Sequence, residues 1–188
     1  MRAFIAIELP EELRQRLAQE QSRFRAMAAD ARWTRPEGIH LTLKFLGEIS
    51  DEQVAEVARA LRQIKSFEPF SVVVRGFGFF PDARRPRVFW AGLDAPAALA
   101  ELAARVESAM APLGFPPENR TFSPHLTLAR FKVPRPQAKL QELVRGQGGA
   151  VLGGFEVSEC FLWESQLLPQ GAQYRKVLSF PQHAAEEA

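Results

Sequence analysis

Two of the chain's three histidines stand in the same four-letter word, His40 in GIHLTLKFLGE and His125 in SPHLTLARFK. On a strand, alternate side chains point to opposite faces. His40 and Thr42 then share one face, with Leu41 and Leu43 anchored in a core behind them. His125 and Thr127 do the same, backed by Leu126 and Leu128. Two such pairs facing each other make a small polar site of two imidazoles and two hydroxyls. Imidazoles titrate near neutral pH, so one can accept a proton while the other gives one. Threonine hydroxyls can donate to non-bridging phosphate oxygens, where charge concentrates in the transition state. This division of labour fits phosphodiester cleavage without metal or cofactor.

Rival chemistries find little support. A zinc site usually needs three protein ligands. Cys160 and His183 fall outside the repeated word, and no H-x-x-x-H or C-x-x-C spacing occurs. There is no G-x-x-x-x-G-K-[ST], G-x-G-x-x-G or G-x-S-x-G motif. The GFGFF stretch reads instead as a strand with glycine bulges.

The elements that position the two words follow from periodicity. Residues 3–9 read as a buried strand, followed by a helix with Pro10 in its first turn and Glu11 and Glu12 at its start. Residues 39–46 alternate and predict a strand. Ser50 with Gln53 makes a capping box for a helix to about Lys65. Residues 69–80 and 87–93 predict strands flanking a basic loop. A helix spans about 96–113, stopped by Gly114. The second word lies on a strand over about 124–131, and a short helix follows Pro136. Residues 154–164 and 173–180 are the last predicted strands, and 182–188 a frayed tail.

At an offset of 85 residues, His40 falls on His125, Thr42 on Thr127 and Phe70 on Phe155. Strand, helix, HLTL strand, helix and strand recur in one order. The pattern predicts an internal duplication, with copies over about 2–93 and 87–180 in one bilobal domain of residues 1–181. The expected fold is α+β: two pseudo-symmetric lobes whose antiparallel sheets line a central groove, with helices packed outside.

Composition sets the class. The chain has 188 residues, 46% hydrophobic and 24% charged, the profile of a globular protein with a sizeable core. One cysteine excludes an intrachain disulfide. The apolar run at the N-terminus is too short for a signal sequence, and no stretch approaches a membrane span, so a cytoplasmic protein with no membrane partner is expected. The net charge is only +2, yet no acid lies between Glu118 and Glu142, where Arg120, Arg130, Lys132, Arg135 and Lys139 occur. Arg84, Arg85 and Arg87 form a second basic cluster. Charge runs of this kind are commonly solvated surface.

Two H-x-[ST]-x words on duplicated strands resemble the two-histidine phosphoesterase superfamily. Within it the chain is similar to the bacterial and archaeal RNA 2′,3′-cyclic phosphodiesterases, first described as 2′–5′ RNA ligases. The words RAFIAIELP, RWTRPEGIHLTLKFLGE, FSPHLTLAR and SQLLPQGAQY carry that likeness over about residues 2–181. The resemblance implies hydrolysis of an RNA 2′,3′-cyclic phosphate to a 2′-phosphomonoester. His40 would be the proton donor, His125 the proton acceptor, and Thr42 and Thr127 would hold phosphate oxygens. Arg130, matching H-x-T-x-x-R, would add charge stabilisation, although strict alternation puts it on the face opposite His125 unless a bulge intervenes. Implied partners are RNA with 2′,3′-cyclic phosphate or 2′–5′ ends, or small cyclic nucleotides. Phe4, Trp33, Phe45, Phe79 and Tyr174 are candidates to stack on a base. The alternatives are reversible 2′–5′ ligation, and a non-catalytic module that binds RNA ends or nucleotides in the same groove. Oligomeric state is not encoded in these features.

Overall fold

The computed structural model describes residues 1–168 and 171–181. In chain order its elements are β1 (Arg2–Ile7), α1 (Glu11–Arg25), β2 (Ala31–Trp33), β3 (Leu41–Glu48), α2 (Asp51–Arg62), β4 (Phe70–Phe80), β5 (Val88–Asp94), α3 (Ala97–Met110), β6 (His125–Phe131), α4 (Ala138–Gln147), β7 (Val151–Val157), β8 (Cys160–Leu168) and β9 (Gly171–Phe180). The expected α+β class with antiparallel sheets is what the chain adopts. One sheet runs β3-β1-β8-β9 and the other β2-β6-β5-β4-β7. No helix among the described residues is long and apolar enough to cross a membrane.

Helix ends follow local chemistry. Ser50 and Gln53 form the reciprocal capping box at the start of α2. Pro10 is the residue before α1 rather than part of its first turn, and Glu11 and Glu12 then sit favourably at the helix's positive end. Gly114, at φ 88°, ends the turn after α3 in the left-handed conformation that glycine tolerates best.

The apolar stripes of the helices and the inner faces of both sheets merge into one core. Leu13, Leu17 and Phe24 of α1, Val57 and Leu61 of α2, and Leu99, Leu102 and Val106 of α3 all belong to it. Phe24 packs edge-on against Phe77 and Phe89. A second, smaller apolar cluster of Phe4, Ala6, Phe161 and Trp163 covers the other face of the four-stranded sheet.

Three details differ from the sequence expectation. Residues 154–164 are not one strand. Val157 ends β7 in the five-stranded sheet, and after Ser158–Glu159 the chain enters the four-stranded sheet as β8. Alternation within the run is blind to that change of sheet. Second, the three-residue strand β2 pairs with β6, and it is too short to give a periodic signal. Third, β3 starts at Leu41, so His40 lies just before it. The tail at 182–188 lies outside the described residues.

Candidate active site

β3 and β6 touch where the two sheets meet. Leu41, Leu43, Leu126 and Leu128 are buried in the shared core, the role that alternation assigns them. His40 and Thr42, and likewise His125 and Thr127, face away from it. His40 is 6% exposed, whereas His125, Thr42 and Thr127 are half-buried.

Both strands carry a bulge at the same place. Against β1, Thr42 pairs with Ala6 but Lys44 with Ile5, leaving Leu43 as the extra residue. Against β5, Thr127 pairs with Trp90 but Ala129 with Phe89, leaving Leu128 extra. An extra residue reverses the parity of everything after it. Leu128 and Ala129 are therefore both buried, and Arg130 returns to the face of His125 and Thr127. This overturns the strict-alternation expectation that Arg130 points away. On β3 the same reversal buries Lys44 and turns Phe45 outward, 60% exposed, beside Phe4 at 6.2 Å. Matching positions thus hold an aromatic ring on one strand and a guanidinium on the other.

The two imidazoles are held alike. His40 Nδ1 lies 3.1 Å from the Gly38 carbonyl and His125 Nδ1 lies 2.8 Å from the Ser123 carbonyl. A carbonyl oxygen only accepts, so each Nδ1 carries the hydrogen and each neutral ring keeps its lone pair on Nε2. His40 Nε2 is buried without a hydrogen-bond partner among the described residues. Tyr174 packs so closely on Gly38 that a Cβ there would lie 2.8 Å from its ring, so a larger residue beside the carbonyl that orients His40 would have to displace that ring.

The surroundings differ. His40 sits among Trp163 at 4.5 Å, Tyr174 at 5.2 Å and Phe4 at 5.5 Å. Burial pushes its pKa down to about 4. The Gly38 carbonyl opposes that shift, while Arg14 and Lys176 reinforce it. His125 has Phe80 edge-on at 4.9 Å. Its pKa is also lowered, first by burial and then by the Arg130 charge, against the Ser123 carbonyl. Both rings are therefore neutral at pH 7 in the free protein.

A stability effect follows from the sign of these shifts. Between pH 6.5 and about 4 the unfolded chain binds a proton at residue 40 that the folded chain refuses. Stability then rises with pH across that window and is lost on acidification. Urea midpoints measured from pH 7 to 4 are expected to fall, and to fall less for His40→Gln. An identical pH dependence in both proteins contradicts the buried, neutral His40.

Of the stacking candidates, Trp33 and Phe79 pack against Phe89 on the core side and are excluded. Phe4, Phe45 and Tyr174 lie on the His40 side. Trp163, Trp90 and Phe80 went unrecognised in the sequence. Trp90 lies over Gly78, where a Cβ would come within 2.3 Å of the indole, and it contacts Phe80. The signal available was the G-x-F of GFGFF, whose glycine leaves room for a facing ring. A cavity of about 740 Å³ opens beside His40, lined in part by Arg14, Arg35, Trp163, Tyr174 and Lys176. Cys160 is fully buried, and burial pushes its thiol pKa up, away from reactivity. Among the described residues no three His, Cys, Asp or Glu side chains cluster as a metal site would need.

Known proteins share both the sequence and the fold. The chain is 35% identical over 175 residues to an RNA 2′,3′-cyclic phosphodiesterase of Methanothermobacter thermautotrophicus, covering 93% of this chain and 95% of that one. It is 41% identical over 140 residues to a protein of the same name from Aeropyrum pernix, covering 74% and 79%. Among solved structures, a Thermus thermophilus protein superposes with a TM-score of 0.79 at 31% identity, covering 96% of this chain and 97% of that one. The LigT protein of E. coli complexed with 3′-AMP gives 0.74 at 27%, covering 95% and 96%. The model of the LigT like Phosphoesterase family matches residues 7–90 and again 93–174, each stretch containing one HLTL word. With nearly the whole chain matched and the fold shared, the protein belongs to the LigT-like phosphoesterase family.

Proposed function

We propose that the protein hydrolyses RNA 2′,3′-cyclic phosphate ends to 2′-phosphomonoesters by acid–base catalysis between His40 and His125, with neither metal nor cofactor. Water attacks phosphorus, and its proton passes to Nε2 of His125. The bond from phosphorus to the 3′ oxygen breaks, and His40 supplies the proton that oxygen needs. Thr42, Thr127 and Arg130 hold the charge that develops on the non-bridging oxygens. The observation that carries this reading is the matched pair of Nδ1–H donations to backbone carbonyls, which leaves both Nε2 atoms free for proton transfer. The names of the relatives support the substrate class. Phe45 and Tyr174, exposed and half-buried on the His40 side, are the rings to stack on the terminal base. The reading takes residues 1–181 as one bilobal unit in which each copy, 2–93 and 87–180, brings one histidine. A substrate of this kind puts the protein in the cytoplasm.

The pH dependence is specific. The working form of the free protein has one ring protonated and the other neutral. With His40 near 4 and His125 below its usual 6.5, the profile of kcat/KM is a bell centred on the acid side of neutrality. A flat profile from pH 5 to 9 contradicts paired acid and base.

Product analysis on an oligonucleotide ending in a 2′,3′-cyclic phosphate, with EDTA present, tests the reading directly. The expected product is the 2′-phosphate-ended strand. A joined 2′–5′ strand would establish ligation instead. Retention of the substrate without conversion would establish a binding module.

A further inference from the structure

β2 places a second arginine beside Arg130. Arg32 is the direct antiparallel partner of Arg130, and directly opposed residues project from the same face of a sheet. Trp33 and Ala129, the next pair, are turned to the core side, where Trp33 meets Phe89. Arg32 and Arg130 therefore stand together on the face of Thr127 and His125. Both are exposed, and neither has a carboxylate within 4 Å among the described residues. The nearest acid along the chain, Asp30, is taken by Arg135 at 3.0 Å.

Like charges set directly across a ladder repel. A three-residue edge strand could carry almost any polar residue at its middle position without that repulsion. Two forked guanidinium groups side by side fit a phosphate, which they can bind through paired hydrogen bonds. Their place along the strands sets which phosphate. Thr127 pairs with Trp90 and Arg130 with Val88, two residues further along β5. That separation is about 7 Å at strand rise. The pair therefore lies beyond the hydroxyl assigned to the reacting phosphate, within a side chain's length of it.

We infer that Arg32, with Arg130, forms a second phosphate subsite that receives the phosphodiester adjoining the terminal nucleotide, so that the enzyme favours a polynucleotide end over a cyclic mononucleotide. The inference rests on the phosphodiesterase reading above. Arg130 serves both phosphates, and Arg32 serves the flanking one alone.

The test compares a cyclic mononucleotide with a dinucleotide carrying the same 2′,3′-cyclic end. Wild type and the variants Arg32→Ala and Arg32→Lys are assayed at several salt concentrations. The wild type is expected to have a higher kcat/KM for the dinucleotide. Arg32→Ala is expected to raise KM for the dinucleotide about tenfold, with kcat and all mononucleotide parameters unchanged. Its dinucleotide KM is also expected to depend less steeply on salt, by about 0.7 in the log–log slope, as when one contact to a single-stranded phosphate is lost. Arg32→Lys restores part of the loss through its charge but not the fork. Mononucleotide turnover reports directly that the variants are folded. If Arg32→Ala lowers both substrates equally, or neither, the subsite is overturned while the phosphodiesterase reading stands. If wild type converts neither substrate, that reading fails and the subsite with it.

Discussion

Replacing His40 or His125 by alanine is expected to lower turnover of a 2′,3′-cyclic nucleotide by about 10²–10⁴-fold each, the usual worth of one positioned acid or base. The double variant should lose less than the product of the two, because an acid without its base has little left to assist. Leaving-group dependence separates the two roles. A phosphodiester with a strongly acidic leaving group needs no proton on departure, so His40→Ala should recover much of its activity on it and His125→Ala should not. The reverse pattern exchanges donor and acceptor. Near-full activity of either variant on the cyclic nucleotide, with EDTA present, overturns the two-histidine mechanism. Because His40 is buried among three aromatic rings, His40→Gln should accompany the alanine variant as a control for packing.

The largest effect expected outside the histidines is at Glu107. The bulge at Leu43 turns Lys44 into the interior, where its side chain is 2% exposed. There Lys44 Nζ donates to Glu107 Oε2 at 2.7 Å and to the Pro116 carbonyl at 2.9 Å. These bonds tie β3 to α3 and to the segment that leads into β6. Removing one partner of a buried pair leaves an uncompensated charge. Glu107→Ala should cost about 3 kcal/mol, the low end for such changes because the carboxylate is itself 22% exposed. Lys44→Met should cost less, because the Glu107 carboxylate it leaves behind is partly exposed and can be hydrated, while a flexible apolar chain of similar length fills the space of Lys44. Chemical denaturation of the two variants checks the order. Equal losses would show that the carboxylate and the Pro116 carbonyl left without Lys44 cost as much as the stranded ammonium.

The residues proposed to carry the chemistry were legible because their letters are rare and repeated. Three histidines in the chain leave few ways to pair two of them with threonine at one spacing. The capping box at Ser50 was equally plain, being a contact between neighbours in sequence. What was hidden depends on pairing between distant strands. Nothing local in LTLAR says that Leu128 bulges, because the bulge exists only against Phe89 and Trp90 of β5. Arg130 and Phe45 consequently had no assignable face. The break after Val157 was hidden for the same reason. Val157 and Cys160 are both buried apolar residues, and only their partners, Phe70 in one case and Phe180 in the other, tell the two sheets apart.

The passage of the chain between sheets also sets a schedule for biosynthesis. β1 is the first strand made, yet it lies between β3 and β8. Its second edge stays open until residues 160–168 leave the ribosome, about 120 residues after β3 is complete. At ordinary elongation rates of about 5–20 residues per second, that wait is roughly 6–24 s. Throughout it an apolar strand, RAFIAI, presents unpaired backbone groups to anything nearby, the condition under which edges recruit foreign strands. The nascent chain, more than the finished protein, is then the form that aggregation threatens. Slowing translation upstream of β8 should lower soluble yield, whereas slowing it after β9 should not.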